Sequence, residues 1–94
     1  MKTEYYLAKD DIFRKPAVWL GRKYGFFRGD MNELLLLLLS LSYPKKREEF
    51  MRLWWIEFGS LVYVPEPHEK DQRIKIIWPD KSNKDYMLFL LRWS

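Results

Sequence analysis

The sequence predicts an α+β domain: a short N-terminal strand, three helices, then an antiparallel β-hairpin. Three observations carry this reading. Apolar residues recur at helical spacing from Ile12 to Phe58, in stretches punctuated by Gly29 and Pro44. After Gly59 the period changes, and residues 61–64 and 73–78 are β-branched and aromatic runs, which suit a pleated surface. Between those runs, residues 65–72 hold two prolines and several charges, the composition of a loop. At 94 residues the chain is expected to form one domain over 1–94, because single cores rarely divide below this size.

Taken in order, residues 3–8 include Tyr5 and Tyr6 and read as a short strand. Asp10 and Asp11 supply anions where a helix start favours them. A helix is expected over residues 16–24, with Pro16 in its first turn, where a missing N–H costs nothing. Gly29 punctuates, Asp30 stands as a cap and Glu33 follows at capping-box spacing. A second helix is then expected over residues 31–42. Leucines fill 34–39 without a break, so burial on most sides is expected, with this helix at the centre of the core. Pro44 opens a third helix through Phe58, and Gly59 is the expected stop. Trp54 and Trp55 point about 100° apart on it, so they face more than one neighbour, a second copy of the chain being a candidate. Residues 86–93 stay undecided: their leucines and Met87 suit a helix, while Tyr86, Phe89 and Trp93 suit a strand.

Composition narrows the function. With no cysteine and one histidine, His68, a disulfide scaffold, a cysteine-ligated zinc site and a thiol nucleophile are excluded. No serine has a nucleophile-elbow context and no glycine-rich phosphate loop occurs. A carboxylate pair brought together by folding, such as Asp10 with Glu33, stays open. A non-enzyme without cofactor or metal is the expectation. The longest apolar run, residues 34–39, is too short to span a membrane, and the opening residues lack a signal-peptide core, so an intracellular, cytoplasmic protein is expected. Gln and Asn total three beside 32% charged residues, which fits a hot environment.

The net charge of +4 is unevenly placed. Residues 1–29 hold seven cations against three anions, and residues 30–94 hold ten of each. Lys45, Lys46 and Arg47 occupy the first turn after Pro44, where the helix dipole favours Asp or Glu. A phosphate there would meet free N–H groups and three cations at once. Glu48 and Glu49 could equally offset them.

The segment from Gly59 through Leu61-Val62, a charged tip with Asp71-Gln72-Arg73, and Ile74-Lys75-Ile76-Ile77 resembles the wing of winged helix-turn-helix regulators. It is most similar to the multiple-antibiotic-resistance regulator (MarR) family, with its Asp-x-Arg signature. The resemblance covers roughly residues 53–79 and rests on a three-residue motif. It implies that Asp71 orients Arg73 and that Arg73 reaches the minor groove, where negative potential favours arginine. It also implies a winged-helix-like fold in which residues 45–58 form the recognition helix, facing the major groove. The chain departs from the family in having no room for flanking dimerisation helices, and residues 66–73 hold three anions against two cations.

The expectation is a DNA-binding protein, a transcriptional regulator acting as a homodimer on double-stranded DNA through Lys45, Lys46, Arg47 and Arg73. Arg22, Lys23 and Arg28 would add backbone contacts. The aromatic load of 18% supports a rival: a protein-binding module of the accessory or inhibitor kind found in viruses and mobile elements, with Trp54 and Trp55 at its interface. A third class, membrane-surface binding through residues 12–28, is weakened by Pro16 and the interior glycines.

Overall fold

The computed structural model describes residues 2–29, 32–79 and 83–93. The chain runs β1 (Lys2–Tyr6), α1 (Asp11–Lys23), α2 (Glu33–Leu41), α3 (Pro44–Phe58), β2 (Leu61–Tyr63), β3 (Ile74–Trp78) and α4 (Asn83–Trp93). The sheet has the order β1-β3-β2 with both pairings antiparallel. Val62 and Glu4 flank Ile76, and Tyr63 and Tyr5 flank Lys75. Strand alternation turns Val62, Ile74, Ile76 and Trp78 into the core and leaves Tyr5, Leu61 and Tyr63 outside. The expected hairpin and N-terminal strand are therefore one sheet, and the α+β class holds with four helices rather than three.

Helix α1 begins five residues before the expected start. Asp10 is extended at φ −67°, ψ 134° and holds the N-cap position, its carboxylate accepting the Leu7 N–H at 2.8 Å. Asp11 pairs with Arg14 at 2.7 Å one turn on, an anion at the positive end of the helix. Pro16 thus lies inside the helix and is fully buried, so the Ile12 carbonyl goes without its usual amide partner.

The leucine run does not form the core's centre. Only Leu37 and Leu41 of α2 are buried, while Leu35 and Leu39 are 54% and 57% exposed. The expected cap Asp30 lies outside the described residues. Asn32 holds the N-cap position in the left-handed region at φ 51°, and Glu33 binds Arg22 instead of reaching back as a capping box would.

The centre belongs to α3. Trp54 has no exposed surface, and its ring meets Phe13 of α1, Phe50 and Phe58 of α3 and Phe89 of α4 at 4.7–5.9 Å. Its Nε1–H donates to Ser60 Oγ at 2.9 Å, and Ser60 is likewise fully buried. Pro44 begins α3 and Gly59 closes it at φ 71°, both as expected.

Residues 86–93 are helical. Tyr86, Phe89 and Trp93, spaced three and four apart, form one face against the core, while Met87, Leu88 and Leu91 point outward. Apolar residues on both sides explain why the period alone could not decide this segment. Among the described residues no helix is long and apolar enough to cross a membrane.

Candidate nucleic-acid interface

Two residues, Ser42 and Tyr43, separate α2 from α3, whose first turn contains no acidic residue and no side-chain cap. Lys45 and Lys46 are exposed there. The approach of a third cation depends on the end of α1. Gly25 takes φ 73°, which glycine adopts without steric cost, and the Phe26 N–H turns back to the Gly21 carbonyl at 2.8 Å. Phe26 then packs edge-on against Phe50 at 5.7 Å. The ideal Cβ position at Gly21 lies 2.7 Å from the Phe27 ring, so a bare α-carbon lets that ring in. The turn delivers Arg28 to the α2–α3 corner.

The result is an open depression of about 490 Å³ lined by Phe26, Phe27, Arg28, Leu36, Leu39, Ser40, Ser42, Tyr43 and Lys46. Among the described residues, two cations and no carboxylate line it. Lys46 Nζ stands 5.6 Å from the Phe26 ring centre, a cation–π contact made by a side chain that stays exposed. Among the described residues, none of Arg28, Lys45 and Lys46 makes an ion pair.

The other four expected cations are held by carboxylates. The Arg47 side chain is only 11% exposed and pairs with Glu66 in the β2–β3 loop. That loop is braced from within: Tyr63 donates to Glu69 at 2.7 Å, and Gln72 Nε2 donates to the carbonyls of Glu66 and Glu69 at 2.9 and 2.5 Å. His68 lies there too, its Nδ1 3.3 Å from Glu66. Arg73 donates to Asp71 from Nε and a terminal nitrogen at 3.0 and 2.9 Å, and its guanidinium covers the Tyr5 ring at 4.5 Å. The Arg73 side-chain bonds, joined by the Arg73 backbone N–H, hold the Asp71 carboxyl at about 2, well below the usual range. Arg22 donates to Glu33 at 2.6 Å, joining α1 to α2. Lys23 donates to Glu57 at 2.8 Å, and the Tyr24 hydroxyl donates to the same oxygen. The Lys23 bond, ahead of Tyr24's, keeps Glu57 below its ordinary pKa.

No protein-family model matches the chain, and none of the curated proteins or solved structures compared with it matches either.

The seven cations named from sequence therefore divide. Among the described residues Arg28, Lys45 and Lys46 make no ion pair, and two of them line one depression. Arg22, Lys23, Arg47 and Arg73 fasten elements together. Trp54, expected at an interface, is the largest fully buried side chain among the described residues, whereas Trp55 is 47% exposed. Tyr43, which no motif in the sequence singles out, is 67% exposed beside Lys46. Its place in the tight link between two helices was the available signal. Asp10 and Glu33, the carboxylates left open as a pair, bind Leu7 and Arg22. Among the described residues no group of three His, Asp or Glu side chains forms a metal-binding cluster.

Proposed function

We propose that this chain binds double-stranded DNA at the α2–α3 corner, with Arg28, Lys45 and Lys46 on phosphate oxygens. The observation that carries the reading is a depression onto which Arg28 and Lys46 converge from separate segments, with no carboxylate among its described lining residues. Cations at a helix start are unfavourable alone and become favourable when a phosphate meets them with the free N–H groups of that turn. The Arg47–Glu66 pair ties the hairpin loop to the start of α3, so a wing-like loop stands beside the basic turn. The order β1-β3-β2 and the short link between α2 and α3 favour a winged-helix-like arrangement. The link of two residues is tighter than the usual three or four. The hairpin's resemblance to MarR-type wings extends the reading to transcriptional regulation, with Arg73 bracing the wing rather than donating freely.

The experiment is fluorescence anisotropy with random duplex DNA at 50 and 200 mM salt. Three phosphate contacts predict an affinity loss of about 40-fold over that range. A salt-indifferent or absent signal overturns the reading. It would favour a second one, supported by the exposed Ile56 and Leu88 that line one depression between α3 and α4: an apolar patch rimmed by Arg92, Asp85 and Glu57 that docks a protein partner.

A further inference from the structure

The least expected feature of the molecule is a leucine helix that buries only two of its leucines. Leu35, Leu39 and Tyr43 follow one another at four-residue spacing and are 54%, 57% and 67% exposed. Beside that row, Leu34 and Leu38 line an apolar groove of about 420 Å³ with Leu7, Val64 and Ile74. Helix α2 packs mainly on α1 and α3, which leaves Leu35 and Leu39 exposed.

We infer that two copies of this chain associate through α2, the Leu35–Leu39 row of each lying in the Leu34–Leu38 groove of the other. Ridge and groove lie side by side on one element, which is the requirement for a two-fold, self-complementary contact. Both rows follow four-residue spacing, so the helices would cross near −50°, as matched ridges do. Charge opposes the pairing little: Glu33, the one charged residue of α2, is already bound to Arg22, and among the described residues Lys9 is the single charged residue lining the groove. The exposed side chains of Leu7, Leu35, Leu39 and Tyr43 amount to about 400 Å² per copy, within the range of a functional patch. With the half-buried leucines added, complete coverage would bury roughly 1,000 Å² in the pair, the lower bound for a specific interface. Leu39 and Tyr43 also line the Arg28–Lys46 depression, so this contact borders the proposed DNA site, and its test contains no DNA.

Sedimentation equilibrium of the full chain from micromolar to submillimolar concentration should reach twice the 11.6-kDa chain mass. The double variant Leu35→Lys/Leu39→Lys should hold the single-chain mass with an unchanged circular-dichroism spectrum. Leu88→Lys/Leu91→Lys, on the other apolar patch, should still dimerise. Because the chain has no cysteine, Leu39→Cys gives a reporter that does not depend on how the lysine variants fold. It should oxidise to a covalent dimer, and Leu88→Cys should not. A monomer at every concentration overturns the inference, whether or not the chain then binds anionic vesicles. So does a dimer lost in the Leu88/Leu91 variant and kept in the Leu35/Leu39 one.

Discussion

Trp54→Ala should destabilise the fold by about 3–5 kcal/mol, the largest single-residue effect expected in this chain. The side chain is fully buried, and four phenylalanine rings from three helices close on it. Truncation leaves a cavity that α1, α3 and α4 cannot all move to fill. It also strands the buried Ser60 hydroxyl, which loses the Nε1–H donor 2.9 Å away and adds the penalty of an unsatisfied polar group. Small domains have about 5–15 kcal/mol in total, so the variant should sit near its unfolding midpoint in mild urea. Trp54→Phe keeps most of the volume and loses the hydrogen bond, at a cost of about 1–2 kcal/mol. Urea titrations of the two variants separate packing from the Ser60 bond. Equal midpoints for wild type and Trp54→Ala would remove Trp54 from the centre of the core.

Arg47→Met is the second large effect, and its direction distinguishes a brace from a ligand contact. The Arg47 guanidinium is mostly enclosed and bound to Glu66, whose side chain is 37% exposed. Methionine keeps the apolar stem and leaves Glu66 without its partner. Full burial would make that loss worth 3–5 kcal/mol, while exposed pairs are worth under about 1 kcal/mol. The partial exposure of Glu66 places the expected loss at about 1–2 kcal/mol. DNA affinity should stay within about twofold, since no free charge is removed from the α2–α3 corner. Lys46→Ala should do the reverse: unchanged stability and weaker binding. Denaturant midpoints beside anisotropy titrations check both. If Arg47→Met lowers affinity as much as Lys46→Ala, the arginine contacts the polyanion after all.

Much of the fold was readable because its signals are local. Pro44 and Gly59 mark the ends of α3 by backbone chemistry that no distant contact overrides. The change of period after Gly59 announced the hairpin, and the tyrosines near the N-terminus announced β1. Helix α2 was misjudged for a physical reason. Six leucines in succession carry no polar residue to mark the outer face, so pattern reads as burial all round, and only packing on α1 and α3 selects Leu37 and Leu41. Helix α4 hid its period in the same way, behind Met87, Leu88 and Leu91. Trp54 and Trp55 are adjacent and chemically alike, and the rotation of α3 alone decides which one faces the core.

The site was legible as a set of cations but not as a surface. Arg47 and Arg73 looked available because charge in a sequence has no direction. The Arg47–Glu66 pair spans 19 residues, and nothing near either residue signals it. Arg73 is held by Asp71 two residues away, a local signal that the Asp-x-Arg motif already contained. Arg28 gained its position through the turn at Gly25 and the packing of Phe26, which the glycine hinted at without giving a direction.

Under the proposed function, polyanion binding resides in Arg28, Lys45 and Lys46 and not in the basic charge of the chain as a whole. Two triple variants separate these cases. Arg28→Ala/Lys45→Ala/Lys46→Ala and Arg22→Ala/Lys23→Ala/Arg73→Ala each remove three positive charges from a net +4. Titrated against the same duplex at 50 mM salt, the first should lose measurable binding while the second stays near wild-type affinity. Equal losses in the two variants would contradict the account, leaving diffuse charge as the whole basis of any binding.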